Sequence, residues 1–211
     1  MSIHLQSINL FLLYFFLIIS NINSLLNYSQ YLDLYSLYNE TNGDNWLWLN
    51  ESKRWIFTTS YTDPCDQSWE GLCCTYNQEQ NYSVVSVLNL SAHNLVGSLS
   101  PSLFVNLSST LTHVSLGSNK IYGLVPTSLG LASKISFLAI NSNSFHGPVF
   151  PIIEKLSELA TLDIRSNFLN GSLPSTIGKL TKLLELSISD NFFNGYLVLK
   201  ILTVCIIFNQ F

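Results

Sequence analysis

The chain has 211 residues, of which 10% are charged and 47% are hydrophobic, and its formal net charge is −4. A chain of this length accommodates one domain with accessory segments. The acidic balance argues against nucleic acid as a partner, because binding to phosphates requires a surplus of lysine and arginine.

The N-terminus has the pattern of a secretory leader. Residues 1–24 contain no Lys, Arg, Asp or Glu, and Leu10 to Ile19 form an apolar run followed by small polar residues. We assign residues 1–24 to a signal peptide. The alternative is an uncleaved anchor, although a membrane span requires about 20 apolar residues. Membrane association is therefore expected only if this segment is retained or the chain continues further.

Residues 25–84 are predicted to form an N-terminal cap. Apolar residues recur at helical spacing near its start and predict an amphipathic helix with one apolar side. They are Tyr31, Leu34, Tyr35 and Tyr38. The turn-forming sequence TNGDN ends this helix. All four tryptophans lie between residues 46 and 69, where we expect them to pack against the first coil of the following segment.

The sequence after the cap repeats with a period of 24 residues. One column of the repeat is asparagine, at Asn119, Asn143, Asn167 and Asn191, and another is glycine, at Gly123, Gly147, Gly171 and Gly195. An earlier copy is 26 residues long and has His93 in the asparagine position. A constant period at which the same residue types recur in several positions is the signature of a stacked solenoid.

Elementary geometry gives each column a structural role. Alternate residues of a strand point to opposite sides, so we expect Val114 and Leu116 to face inward and Ser115 and Gly117 to face outward. The asparagines should bond to the backbone of turns, and the glycines permit a tight bend. Because no coil buries its own apolar face, only stacking creates a core. Residues 85–204 are therefore expected to form about five repeats.

The repeat also resembles a known family. LTHVSLGSNKIYGLVPTSLGLASK (111–134) resembles the plant-type leucine-rich repeat, whose pattern is LxxLxLxxNxLxGxxPxxLxxLxx, and residues 159–182 match it almost fully. The resemblance implies an α/β fold: a right-handed leucine-rich repeat solenoid with short parallel strands on the concave face and an N-terminal helical and cysteine-containing cap. It also implies similarity to the ectodomains of receptor-like proteins and receptor kinases.

The four cysteines allow three pairings in a secreted chain. DPCDQSWEGLCC (63–74) resembles the paired-cysteine cap of secreted leucine-rich repeat proteins, and this resemblance implies a disulfide between Cys65 and Cys74. An exchange of Cys74 for Cys73 remains an alternative. We expect Cys205 to be unpaired, because several coils at about 4.8 Å each separate it from the cap. Zinc is disfavoured because no second ligand pair occurs at finger spacing, and we expect neither a metal nor a cofactor.

Seven N-x-[ST] sequons predict N-glycosylation in the secretory pathway. They are Asn27, Asn39, Asn50, Asn81, Asn89, Asn106 and Asn170. We therefore expect a glycoprotein that is secreted or held at the extracellular face of the plasma membrane.

The outward strand positions of the concave face are the expected ligand contacts. Most of them are small and polar, and the larger candidates are His113, Phe137, Asp163, Arg165 and Glu185. The alternative is that these side chains are simply solvated, with Asp163 and Arg165 paired on one strand. A hydrolase triad of His113, Asp163 and a serine is excluded, because two coils separate the first two residues. We expect no enzymatic activity.

The leading hypothesis is a non-catalytic recognition module that binds a protein, peptide or carbohydrate ligand on the concave face. The resemblance implies it, because plant-type repeats commonly serve as receptor ectodomains, which also suggests a co-receptor as a partner. The alternative is an inhibitor of a secreted hydrolase, of the type that blocks wall-degrading enzymes. Residues 205–211 are expected to form an apolar tail without a closing cap, which favours a truncated receptor ectodomain.

Overall fold

The computed structural model describes residues 28–57, 63–78 and 82–194, together with the backbone of residues 205–206. The predicted signal peptide and the sequons at Asn27 and Asn81 lie outside the described residues.

The cap contains a helix, two short 3-10 turns and a hairpin strand. Residues 28–40 form helix α1, and the 3-10 turns span Gly43–Asn45 and Glu51–Lys53. Strand β1 (Leu72–Asn77) pairs antiparallel with β2 (Tyr82–Asn89), so β2 runs across the predicted boundary between cap and repeats.

The apolar side of α1 is buried to different depths along its width. Tyr31, Leu34 and Leu37 are buried, whereas Tyr35 is 43% exposed. Tyr35 nevertheless lies on the expected apolar side, at its edge, because its ring packs on Phe57 with centroids 5.0 Å apart. Polar residues next to this apolar side attach α1 to the first coil. Asp33 is buried and accepts hydrogen bonds from the backbone N–H groups of Asn106 and Leu107.

The concave face is a sheet of seven strands in the order β1-β2-β4-β6-β8-β10-β12. Its later strands are β4 (His113–Ser115), β6 (Phe137–Ala139), β8 (Thr161–Asp163), β10 (Glu185–Ser187) and β12 (Cys205–Ile206). All pairs from β2 onward are parallel. β10 pairs with β12 through Glu185 and Cys205, so residues from the predicted apolar tail extend the sheet by one strand.

A second parallel sheet runs along another side of the solenoid, in the order β11-β9-β7-β5-β3. Its strands are β3 (Val96–Ser98), β5 (Lys120–Leu124), β7 (Ser144–Pro148), β9 (Phe168–Ser172) and β11 (Phe192–Asn194). The repeat pattern predicts only a bend at these positions. The bend is present, since Gly123, Gly147 and Gly171 have φ of 92°, 81° and 94°, but it lies within a strand.

The remaining side of three coils is closed by short helical segments. They are the 3-10 turns Thr127–Leu131 and Ser175–Lys179 and the helix α2 (Phe150–Ile153).

One hydrophobic core runs through the cap and the coils. The inward column Val114, Leu138, Leu162 and Leu186 is 0% exposed at every position. Three tryptophans of the cap, Trp46, Trp55 and Trp69, belong to the same buried cluster as this column. The tryptophans therefore close the end of the stack, as a solenoid requires of its terminal cap.

The asparagine column forms a hydrogen-bonded ladder between neighbouring coils. Asn143 Oδ1 accepts from the Ile121 N–H at 2.9 Å, and its Nδ2 donates to the carbonyl groups of Leu116, Ile140 and Asn141 at 2.8, 3.3 and 3.2 Å. The equivalent atoms of the other ladder residues make the same pattern: Asn119, Asn167 and Asn191. The residue before each asparagine has a left-handed backbone, as at Ser142 with φ of 52°.

The first coil and the cap share a different polar junction. His93 occupies the ladder position, where its Nδ1 lies 2.7 Å from the Ser91 carbonyl oxygen and its Nε2 lies 3.0 Å from Glu70 Oε1. Glu70 also accepts the backbone N–H groups of Leu49 and Asn50, both at 2.8 Å. Burial raises the pKa of Glu70. The hydrogen bonds to its carboxylate lower the pKa by more, so the pKa of Glu70 lies below its usual value.

A disulfide joins Cys65 to Cys74 within the cap, with Cα atoms 5.8 Å apart. Cys73 is exposed and carries a free thiol. The bond links the segment before Trp69 to the edge strand β1, so it holds the outermost part of the cap on the concave sheet.

Candidate functional site

Three of the sequence-predicted contact residues lie in one row across the concave sheet. His113 on β4 pairs with Phe137 on β6, Phe137 pairs with Thr161 on β8, and Thr161 pairs with Glu185 on β10. Neighbouring strands lie about 4.8 Å apart, so the row is roughly 14 Å long. We call these four residues the concave row.

One end of the concave row is aromatic. The rings of His113 and Phe137 are stacked, with centroids 5.8 Å apart and an interplanar angle of 18°. Thr112 Oγ1 lies 3.0 Å from His113 Nδ1, which helps to orient the imidazole. His113 is exposed and Phe137 is half-buried. Stacked rings of this kind offer a large contact area to apolar or planar groups while few rotatable bonds are fixed on binding.

The opposite end of the concave row is acidic. Glu185 is exposed, and within the described part of the chain it forms no ion pair. Thr161 Oγ1 lies 3.5 Å from Glu185 Oε2, so the neighbouring residue of the row is close to the carboxylate without neutralising it. An exposed carboxylate without a basic partner favours a cationic group of a ligand.

Asp163 and Arg165 lie outside the row and bind each other. Arg165 Nη2 lies 3.1 Å from Asp163 Oδ2, and the Arg165 backbone N–H donates to Asp163 Oδ1 at 3.3 Å. Burial raises the pKa of Asp163 above its usual value, although the hydrogen bonds and charge of Arg165 act in the opposite direction. Because the two charges cancel locally, this pair adds polar surface beside the row but no net charge.

Two outward positions of the concave strands are not open surface. Ala139 is only 6% exposed. Gly117 is buried beneath Asn141, whose Oδ1 would meet a Cβ atom at that position. Gly117 therefore faces the concave side as expected, but a side chain of the next coil covers it. Ser91 Oγ and Ser115 Oγ lie 2.6 Å apart, so several small residues of this face serve contacts between coils.

Five of the predicted glycosylation sites lie in the described residues, and all five asparagines are exposed: Asn39, Asn50, Asn89, Asn106 and Asn170. Asn89 lies on β2 and pairs with Ser115, so a glycan at this position would cover the first coil of the concave face. The concave row begins on the next strand, at His113.

A cleft that no sequence pattern indicated lies beside α1. Its volume is about 320 Å³, and its lining includes Gln30, Asn77, Tyr82, Thr110 and Lys134. Gln30 Nε2 donates to Thr110 Oγ1 at 2.9 Å, so part of this polar lining already holds α1 against the first coil. No local motif could have marked the cleft, because its residues are widely separated in sequence.

Among the described side chains, no group of three or more His, Cys, Asp or Glu residues is arranged to hold a metal ion. No helix in residues 28–57, 63–78 or 82–194 has both the length and the apolar character needed to cross a membrane.

The repeated concave strands, the asparagine ladder and the disulfide-bonded cap define the class of protein. The chain is a leucine-rich repeat solenoid. This confirms the expected α/β fold.

Solved structures from Arabidopsis thaliana share this architecture. The leucine-rich repeat ectodomain of the receptor kinase SOBIR1 is 24% identical over 79% of this chain and 82% of that chain, with a TM-score of 0.62. The BIR2 ectodomain is 25% identical over 77% of this chain and 80% of that chain, with a TM-score of 0.64. A chain of the BIR3–SERK2 complex is 24% identical over 78% of this chain and 82% of that chain, also with a TM-score of 0.64. No protein-family model matches the sequence, and no curated protein is significantly similar to it.

Proposed function

We propose that this chain is an extracellular, non-catalytic recognition module that binds an extended peptide along the concave row. The observation that supports this function is the row itself. It places the stacked rings of His113 and Phe137 at one end and, at the other, the exposed carboxylate of Glu185, which forms no ion pair with the described residues.

The dimensions of the row suit a short peptide segment. An extended chain advances about 3.3 Å per residue, so roughly four residues cover the distance of about 14 Å between His113 and Glu185. The preferred segment has an apolar or aromatic residue that packs on the stacked rings. It has a lysine or arginine about four residues away that pairs with Glu185.

The proposed location is outside the cell. The apolar run at the N-terminus, the sequons and the disulfide between Cys65 and Cys74 support it, because disulfides persist in oxidising compartments. The similar solved structures of SOBIR1 and BIR2 are ectodomains. A second protein partner, such as a co-receptor, is part of the proposal and is supported by the likeness to a chain of the BIR3–SERK2 complex.

Peptide selection with the secreted full chain tests this function. An immobilised library of random hexapeptides is expected to yield sequences that combine an aromatic or large apolar residue with a lysine or arginine about four positions apart. Phe137→Ala should weaken binding to a selected peptide by about tenfold or more. Glu185→Gln should abolish the preference for a cationic residue and reduce the dependence of affinity on salt.

Tyr122→Ala is the matched control, because Tyr122 is an exposed aromatic residue of the second sheet. Its peptide affinity should equal that of the unchanged protein. If the selection yields no peptide, or Tyr122→Ala weakens binding as much as Phe137→Ala, the proposed site is wrong. If stoichiometric inhibition of a secreted hydrolase is found instead, the inhibitor hypothesis replaces peptide recognition.

A further inference from the structure

The second sheet exposes aromatic side chains that do not contribute to the core. Phe168 on β9 is 52% exposed and Phe192 on β11 is 64% exposed. Their rings are stacked, with centroids 6.1 Å apart and an interplanar angle of 14°. We call Phe168 and Phe192 the aromatic platform. Single exposed apolar residues are common on protein surfaces, but two adjacent exposed rings form a contiguous apolar patch of the kind that binds a partner group.

A glycosylation sequon lies beside this platform. Asn170, Gly171 and Ser172 form an N-x-S sequon on β9. Asn170 follows Phe168 by two residues, so both side chains lie on the same face of the strand. Across the sheet, Asn170 pairs with Phe192 of β11 on one side and with Pro148 of β7 on the other. The asparagine therefore has ring or apolar side chains next to it in three directions.

The side chain of Asn170 also lacks the hydrogen bonds that asparagines of some other sequons make within the described residues. Asn106 Nδ2 donates to the buried carboxylate of Asp33 at 2.9 Å, so a sugar on that nitrogen would disturb this bond. Asn50 Oδ1 accepts from the Ser52 N–H at 3.0 Å. Within the described residues, the Asn170 side chain makes no hydrogen bond, and both Asn170 and Ser172 are exposed. A glycan on Asn170 would therefore break no side-chain hydrogen bond that Asn170 makes within the described residues.

We propose that Asn170 carries an N-linked glycan whose first sugar packs on the aromatic platform. The apolar face of a pyranose ring presents C–H groups, which are attracted to the negative face of an aromatic ring and lose contact with water there. The glycan is thus the group that covers Phe168 and Phe192, and it becomes part of the second sheet's outer surface.

The modification joins the protein to an oligosaccharide carried on a polyprenyl diphosphate. Asn170 Nδ2 forms an N-glycosidic bond to the anomeric carbon and loses one proton. The bond between that carbon and the diphosphate oxygen breaks, and the polyprenyl diphosphate leaves with the electron pair. This inference rests on the proposed extracellular destination, because the donor and the transferase are found in the secretory pathway.

The first test is site occupancy in the full chain secreted from insect or plant cells. Mass spectrometry of peptides that contain each sequon should find Asn170 glycosylated. A glycan at another sequon but not at Asn170 would overturn this inference and leave the extracellular destination intact. The absence of glycan from every sequon would overturn both.

The second test asks whether the sugar sits on the platform. Ser172→Ala removes the sequon and should lower the Tm by about 2–4 °C, whereas Ser172→Thr keeps the sequon and should leave the Tm unchanged. Trimming with an endoglycosidase that leaves the first N-acetylglucosamine should have no effect on the Tm. In a Phe168→Ala background, Ser172→Ala should lower the Tm much less, but a Tyr122→Ala background should leave its effect unchanged. An equal effect of Ser172→Ala in all backgrounds would overturn the proposed packing.

Discussion

Replacing Asn143 with alanine tests whether the asparagine ladder holds the coils together. In the folded protein, Asn143 is 9% exposed and bonds to four backbone groups of two coils. The carbonyl groups of Leu116 and Ile140 would keep a second donor after the substitution, from Asn119 and Asn167. The Ile121 N–H would lose the acceptor Asn143 Oδ1 at a residue that is 0% exposed.

The expected loss of stability follows from these hydrogen bonds. A buried donor left without its acceptor costs about 1–3 kcal/mol, and the small cavity left by the amide adds to that cost. We therefore expect Asn143→Ala to lower the free energy of unfolding by about 2–4 kcal/mol. Urea denaturation of the secreted chain, followed by tryptophan fluorescence and circular dichroism, measures it, and agreement of the two probes checks that unfolding is two-state.

Asn141→Ala is the matched control for the ladder. Asn141 is the same residue type two positions earlier. Among the residues that the structure describes, its side chain makes one long hydrogen bond, from Nδ2 to Ser142 Oγ at 3.4 Å. Its replacement should change the free energy of unfolding by less than about 0.5 kcal/mol. If Asn143→Ala is equally mild, the amide bonds of the ladder do not stabilise the stack and the reasoning is refuted.

Three further changes test the cap. Replacing both Cys65 and Cys74 with alanine should lower the free energy of unfolding by about 2–3 kcal/mol, because the disulfide closes a short loop. Cys73→Ser should leave it nearly unchanged. Equal losses of Tm in the two variants would contradict this prediction. Gly97→Ala should lower the free energy of unfolding by about 1–3 kcal/mol, because the new Cβ atom would meet the Glu40 backbone oxygen. Gly130→Ala, which would meet mainly the flexible Lys155 side chain, is its near-neutral control by thermal denaturation. The pKa of Glu70 is lower in the folded protein than the value of 4.5 in the unfolded chain. Ionised Glu70 therefore stabilises the folded protein above pH 4.5, and this stabilisation is lost as the pH falls through the folded pKa. Glu70→Gln should therefore flatten the dependence of Tm on pH in this acidic range, and an unchanged slope would count against the Glu70 junction.

The sequence predicted the parts of the fold that depend on a strict period. The inward leucine column and the asparagine ladder were predictable because each position recurs every 24 residues in the same environment. The second sheet was missed because Gly123 and its equivalents indicated a bend. The strand signal was nevertheless present: Ile121 is 0% exposed, and its neighbours Lys120 and Tyr122 are exposed, which is a period of two.

Contacts between distant segments were not predictable in the same way. His93 was recognised as an exception in the asparagine column, but its partner Glu70 lies 23 residues away and belongs to the cap. The burial of Gly117 likewise depends on Asn141 of the next coil. For the candidate site, the period placed His113, Phe137 and Glu185 in equivalent positions, so their alignment was implied. The stacking of His113 on Phe137 depends on side-chain rotamers, which the period does not specify.

Contacts between coils leave the first outward strand position more open to a ligand than several of the later outward positions. Among the later positions, Asn141 covers Gly117, and Ser91 meets Ser115. The ladder meanwhile bonds to the backbone from inside, so stability does not depend on the side chains of the concave row. It follows that Phe137→Ala should weaken peptide binding while it changes the free energy of unfolding by less than about 1 kcal/mol. Asn143→Ala should have the reverse effect, with a large loss of stability and unchanged peptide affinity of the fraction that remains folded. A concave-row variant as unstable as Asn143→Ala would show that scaffold and binding surface are not separate in this protein.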